Sequence, residues 1–205
     1  MTDSPTVFIV DDDQAVRDSL KFLVESNGQE AQAYASAVTF LENYTPDIPG
    51  CLLLDVRMPE MNGFELQKEL QRRNITLPII FVSAHGTVPT AVRALKLGAV
   101  DFIMKPFNNT ALLEKIDQAI ESDKIQRQQF CLRQAIAKRM AHLTPREQDV
   151  MRLIVEGMPA KKIAEQLGIS NKTVDVHRSH IMEKLEIKSV AELVKMVVTL
   201  NNTDH

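Results

Sequence analysis

The sequence predicts two domains of different class: an α/β domain doubly wound about a five-stranded parallel sheet, then an all-α domain of four helices. Two observations carry this. Short β-branched apolar runs recur up to about residue 103 with helical patterns between them, and from Leu143 onward only helical patterns remain. Strands that alternate with helices read as parallel and covered on both faces.

The strand runs begin at Thr6 (TVFIV), Cys51 (CLLL), Ile79 (IIFV) and Val100 (VDFI), with a weaker one at Glu30 (EAQAY). The intervening helices are expected over 14–26, 36–44, 63–73, 88–97 and 109–122, with Gly28 stopping the first and Gly98 the fourth. Met58-Pro59 and Asn62-Gly63 mark a turn after the third strand. Residues 121–142 hold good helix formers, no turn residues and few core-sized side chains, so 123–141 is expected to be a helical linker. The expected domains are therefore 1–122 and 142–205.

In the second domain Thr144-Pro145-Arg146-Glu147 supplies an N-cap, a proline at the first helical position and a capping-box glutamate, and Gly157 ends that helix. A helix over 160–167, the turn Gly168-Ile169-Ser170 and a helix to about Leu185 follow. Ser189 to Glu192 is a second capping box that opens the last helix.

Composition narrows the class. The chain is 44% hydrophobic and 25% charged, with apolar runs too short to span a bilayer, so no membrane partner is expected. Its first residues carry no basic segment followed by an apolar one, and Cys51 and Cys131 make no disulfide framework; the cytoplasm is the expected compartment. The net charge of −3 hides an asymmetry, with ten Lys and Arg against sixteen Asp and Glu up to residue 120 and nine against nine from residue 140. An acidic half is ordinarily a solvated surface, so the positions of the acids matter more than their number.

Those positions are specific. Asp11, Asp12 and Asp13 follow the first strand, Asp55 follows the third, Ser83 ends the fourth and Lys105 follows the fifth. All lie at the carboxyl ends of parallel strands, where open α/β sheets bind ligands. One such Asp by itself more often caps the next helix. Together they describe a site: gathered carboxylates call for a cation, and hard oxygen donors without His or Cys favour Mg²⁺, with Mn²⁺ able to substitute. Phosphoryl transfer to a carboxylate needs a nucleophile, a divalent ion, a cation and a hydroxyl, which Asp55, Mg²⁺, Lys105 and Ser83 would supply.

With VFIVDDD, LLLDVRMPEMNGFEL, FVSAHG and DFIMKPF in that order, residues 6–120 resemble a receiver domain. The resemblance implies the strand order 2-1-3-4-5 and makes Asp55 the phosphoacceptor. It places Asp11, Asp12, Asp55 and the backbone carbonyl of Arg57 at the metal, Asp13 outside its immediate ligands, and Ser83 and Lys105 on the phosphoryl group. It further implies a cis Lys105-Pro106 bond and a switch pair of Ser83 and Phe102; read from the pattern alone, Phe102 is a core aromatic on a strand.

Helix, glycine-containing turn and helix over 160–185 match a helix-turn-helix in spacing. A helical wheel puts Val174, Ile181 and Leu185 on the core face and Lys172, Val176, Ser179 and Glu183 opposite, flanked by Asp175 and His180. Val176 is then either a stray surface valine or a contact to a thymine methyl. Lys161, Lys162, Lys172 and Arg178 are candidate phosphate contacts, each also readable as a solvated cation.

Residues 143–196 resemble the LuxR-type helix-turn-helix, and the whole chain resembles the FixJ branch of the NarL/FixJ response regulators. This implies a DNA-binding set of Lys161, Lys162, Lys172, Thr173, Asp175, Val176, Arg178, Ser179 and His180. It also implies a transcription regulator, not an enzyme beyond its own phosphorylation and slow dephosphorylation. Its partners would be a sensor histidine kinase, DNA, RNA polymerase and a second copy joined through residues 88–97 and 100–103. Asp175 departs from NarL-like members, which often carry lysine there. A phosphatase of the haloacid dehalogenase type would want an acid two residues past Asp55, where Arg57 stands, and a ligand-sensing quorum regulator would want an apolar cavity where the acids stand.

Overall fold

The computed structural model describes residues 4–46 and 48–201; Met1 and His205, the ends of the expected domains, lie outside them. The chain divides into two compact units, residues 1–127 and 128–205. In the first, β1 (Thr6–Val10), β2 (Glu30–Tyr34), β3 (Gly50–Leu54), β4 (Ile79–Ser83) and β5 (Asp101–Met104) pair in parallel in the order β2-β1-β3-β4-β5. Between them run α1 (Gln14–Ser26), α2 (Ala37–Asn43), α3 (Gly63–Arg72) and α4 (Val88–Lys96).

Successive side chains of a strand point to opposite faces, so the central strands feed two cores. Phe8, Val10, Leu52, Leu54 and Phe81 pack with Phe40 of α2, Leu66 and Leu70 of α3 and Ala94 of α4. Val7, Ile9, Cys51, Leu53, Ile80 and Val82 pack with Leu20 and Val24 of α1 and with Leu112, Ile116 and Ala119 beyond β5. Every residue of β1, β3 and β4 is buried, which accounts for their continuous apolar runs. The strand at Glu30 has no buried residue because it lies at the edge of the sheet, and its weak pattern follows from that.

The expected helix 109–122 and helical linker 123–141 form one α-helix, α5 (Asn109–Met140). Asp123, at the start of the expected linker, is completely buried. Its Oδ2 accepts from the Gly50 backbone N–H at 2.9 Å and from Arg127 Nε at 2.6 Å, while Arg127 Nη1 donates to the Pro46 carbonyl at 2.7 Å. These bonds hold residues 123–127 to the first unit, with which they group.

The second unit contains α6 (Pro145–Val155), α7 (Ala160–Leu167), α8 (Asn171–Leu185) and α9 (Val190–Asn201). Thr144 and Glu147 complete the expected capping box of α6, and Gly168 ends α7 at φ 66. Val150, Leu153, Ile163, Val174, Ile181, Leu185 and Leu193 form its core. Among the described residues no helix is long and apolar enough to cross a membrane.

Candidate phosphoacceptor site and nucleic-acid interface

The parallel strands deliver the acids as their order requires. Asp11 follows β1 and Asp55 follows β3, its neighbour, and both are buried, 3% and 7% exposed. Burying two like charges together is costly without a cation. Lys105, at the end of β5, provides one: its Nζ lies 2.6 Å from Asp11 Oδ2 and 3.6 Å from Asp55 Oδ1. The Lys105-Pro106 bond is cis, and the Lys105 N–H donates to the Ser83 carbonyl at 2.9 Å.

The two carboxylates differ in their remaining partners. Asp11 Oδ1 accepts from the Asp13 N–H at 3.0 Å, and burial raises the Asp11 carboxyl above its usual range against the pull of Lys105. Asp55 Oδ2 accepts from the Arg57 N–H at 2.6 Å, which leaves Oδ1 as the oxygen turned toward the lysine. The turn after Asp55 is tight: a Cβ on Gly63 would collide with the Asp55 carbonyl oxygen. Ser83 is fully buried, and its Oγ accepts from the His85 N–H at 3.3 Å.

Asp12 is exposed, and Asp13 caps α1 by accepting from the Ala15 N–H at 2.8 Å. Among the described residues no three His, Cys, Asp or Glu side chains are grouped closely enough to hold a metal by themselves. Asp11 and Asp55 are thus brought together, and the side chain of Asp12 does not join them. This donor set still fits Mg²⁺, which is commonly held by one or two carboxylates with water completing its octahedron. Their oxygens are hard donors, and one lysine does not balance two buried carboxylates.

Phe102 is half-buried, and its ring stacks on Phe81 at 6.1 Å between centroids. A feature not visible in the sequence is Gly86, where a Cβ would stand 2.7 Å from the Phe102 ring and 2.9 Å from Met104 Cγ. The loop after Ser83 therefore lies directly against Phe102.

On α8, Lys172, Asp175, Val176 and Ser179 are exposed with Val176 at 45%, as are Lys161 and Lys162 on α7. Thr173 is half-buried at the helix start, its Oγ1 2.8 Å from Ser170 Oγ. Arg178 is exposed but lines a small cavity with Val174, Ile154 and Val190, near the core-facing side of α8. His180 Nδ1 lies 3.8 Å from Glu147 Oε1, on the side turned to α6.

Comparison with known proteins agrees with this architecture. Residues 7–117 match the family described as response regulator receiver domain, and residues 141–197 match bacterial regulatory proteins of the luxR family. The chain is 42% identical to the transcriptional regulatory protein FixJ of Azorhizobium caulinodans over 198 residues, 97% of this chain and 94% of that protein. It is also 42% identical to nodulation protein W of Bradyrhizobium diazoefficiens over 194 residues, 95% of this chain and 86% of that one. The solved response regulator StyR superposes with a TM-score of 0.84 at 45% identity, covering 95% of this chain and 98% of that one. The chain belongs to the FixJ-like response regulators, in which a receiver domain is joined to a LuxR-type DNA-binding domain. As a member it is a phosphorylation-controlled transcription regulator, not an enzyme, with a sensor kinase and DNA as the partners its two domains imply.

Proposed function

We propose that Asp55 accepts a phosphoryl group from a phosphohistidine of the sensor kinase in the cytoplasm. Phosphorylation then promotes pairing of two receivers and binding of the α8 helices to a specific DNA sequence. One observation carries the reading: a buried carboxylate whose Oδ2 is occupied by the Arg57 N–H presents Oδ1 toward Lys105 at the ligand-binding edge of the sheet.

Asp55 Oδ1 attacks phosphorus while the P–N bond of the phosphohistidine breaks in line, and the imidazole leaves with the electron pair. Lys105, now between Asp11 and Asp55, neutralises charge on the phosphoryl oxygens, and the Ser83 hydroxyl donates to one of them. Asp11, Asp55 and the Arg57 carbonyl, with Asp12 nearby in the sequence, would hold Mg²⁺ or a substituting Mn²⁺, which would supply the remaining positive charge opposite the phosphoryl oxygens. As the Ser83 hydroxyl turns inward, Phe102 follows, and the loop at Gly86 that packs on its ring moves with it.

The exposed apolar side chains Val92 and Leu95 on α4, and Val100 and Met104 beside and at the end of β5, are the receiver surface that pairs. Two linked DNA-binding units hold two half-sites far better than one holds one. Val176 and Ser179 meet bases, Asp175 and His180 flank them, and Lys161, Lys162, Lys172, Thr173 and Arg178 meet the backbone. RNA polymerase is a further partner of the DNA-bound form. Treatment of the full chain with acetyl phosphate and Mg²⁺, followed by an acid-labile phosphate assay and DNA footprinting, tests the proposal. Labelling that survives Asp55→Asn, or a footprint indifferent to labelling, would contradict it.

A further inference from the structure

Glu147 lies on α6, yet its carboxylate binds Lys184 of α8 and has His180 of the same helix beside it. It is 3% exposed. Its Oε2 accepts from the Thr144 N–H at 2.8 Å and Thr144 Oγ1 at 3.0 Å, completing the cap of α6, and from Lys184 Nζ at 2.7 Å. Its Oε1 faces His180 Nδ1 at 3.8 Å. Lys184 and His180 are one turn apart on α8, so one carboxylate meets two successive rungs of the same stripe.

We propose that Glu147 and Lys184 are positioning residues that set the rotation of α8 and thereby the sequence selectivity of the domain, without touching DNA themselves. The inference rests on α8 being the helix that reads bases.

The geometry supports it in three ways. On α8 the Lys184 stripe stands about a quarter turn from the stripe of Lys172, Val176, Ser179 and Glu183. Rotation by one residue, about 100°, would therefore both break the pair and turn Val176 and Ser179 away from the groove. The pair also joins an acid in the first turn of α6 to a cation in the last turn of α8, each at the helix end its charge favours. Finally, its carboxylate is shielded from water. Arg139 meets Glu186 at 3.0 Å at the end of α8, but those side chains are 45% and 69% exposed, and water screens such a pair. In the Glu147–Lys184 pair the side chains are 4% and 35% exposed.

The test uses the full chain, a duplex selected by the wild-type protein from a random-sequence pool, and a scrambled duplex of equal composition, each across a salt series. Glu147→Gln keeps a capping-box acceptor, since glutamine also serves there, and removes the charge. Lys184→Met keeps the stem. Either change is expected to lower the ratio of specific to scrambled affinity about tenfold, within the cost of one mismatched base pair. The double variant should be no worse than either single one, as for two halves of one interaction. The salt slope should not change. An unaltered ratio in Lys184→Met overturns the proposal even if Glu147→Gln fails to fold, and so does a slope reduced by about one, which would make Lys184 a phosphate contact. If the wild-type protein selects no duplex, the base-reading role of α8 falls and this inference with it.

Discussion

Lys105 Nζ is 2.6 Å from Asp11 Oδ2, and this contact orders the acid site: the lysine lies closer to the acid after β1 than to Asp55, at 3.6 Å. Asp11 and Asp55 face each other across that ammonium, so removing it leaves two buried carboxylates unscreened. Lys105→Met is expected to destabilise the first unit at neutral pH by about 3 kcal/mol, the cost of leaving a buried charge without its partner. Denaturant unfolding measures this. The loss should shrink as pH falls and Asp11 protonates; a loss independent of pH would show that the ammonium does not screen the acids.

Asp11 has a raised carboxyl pKa, because burial outweighs the help it receives from Lys105. A folded state with a raised pKa binds more protons than the unfolded chain in the interval between the two values, so its stability falls as pH rises there. Asp11→Asn should remove that fall. The comparison is unfolding of the wild-type chain and the variant from pH 4 upward, and parallel curves would contradict it.

Glu147 shows the opposite linkage. Burial pushes its carboxyl up, but Lys184 and the two Thr144 hydrogen bonds prevail and hold it at about 2, against 4.5 ordinarily. A lowered folded-state value gives stability that is present above 4.5 and lost as pH falls toward 2. Acid unfolding of the second unit should therefore be less steep in Glu147→Gln. An unchanged acid limb, followed by circular dichroism, would contradict the pairing with Lys184.

Gly86 leaves no room for a side chain against Phe102 and Met104. Gly86→Ala should cost about 1–3 kcal/mol by overpacking, and Phe102→Leu in the same chain should recover part of it. If the two substitutions add without interaction, the loop does not rest on Phe102 in solution.

Asp123 fixes the length of the receiver. A fragment ending at residue 122 lacks the carboxylate that accepts from Gly50 and the guanidinium that reaches Pro46. It should be less stable than a fragment ending at residue 130 by about 1–3 kcal/mol, the cost of leaving the buried Gly50 N–H without its acceptor. Equal midpoints in urea would return the boundary to residue 122.

The sheet and the acid site could be read from the sequence because both depend on local order. Strands buried on both faces appear as unbroken apolar runs, and in a parallel sheet the residues after each strand share one edge, so the placing of Asp11, Asp55, Ser83 and Lys105 follows from counting. Contacts across sequence distance were not legible. Asp123 meets Gly50 across 73 residues, and nothing in the local pattern of α5 separates it from a solvated acid. Glu147 announced its cap through Thr144 three residues before, whereas its bond to Lys184 spans 37 residues and depends on how α6 packs on α8. Thr173 and Asp13 show local chemistry prevailing: both side chains make hydrogen bonds within the caps of their own helices.

Phosphorylation of Asp55 and its effect on DNA are read together in the affinity of the full chain for its selected duplex before and after acetyl phosphate treatment in Mg²⁺, with Asp55→Asn alongside. One acid-labile phosphate per chain is expected, on Asp55, with affinity for the selected duplex rising in the phosphorylated wild-type protein and staying at its basal value in the variant. Equal labelling of Asp55→Asn, or wild-type affinity unchanged by full labelling, would contradict it.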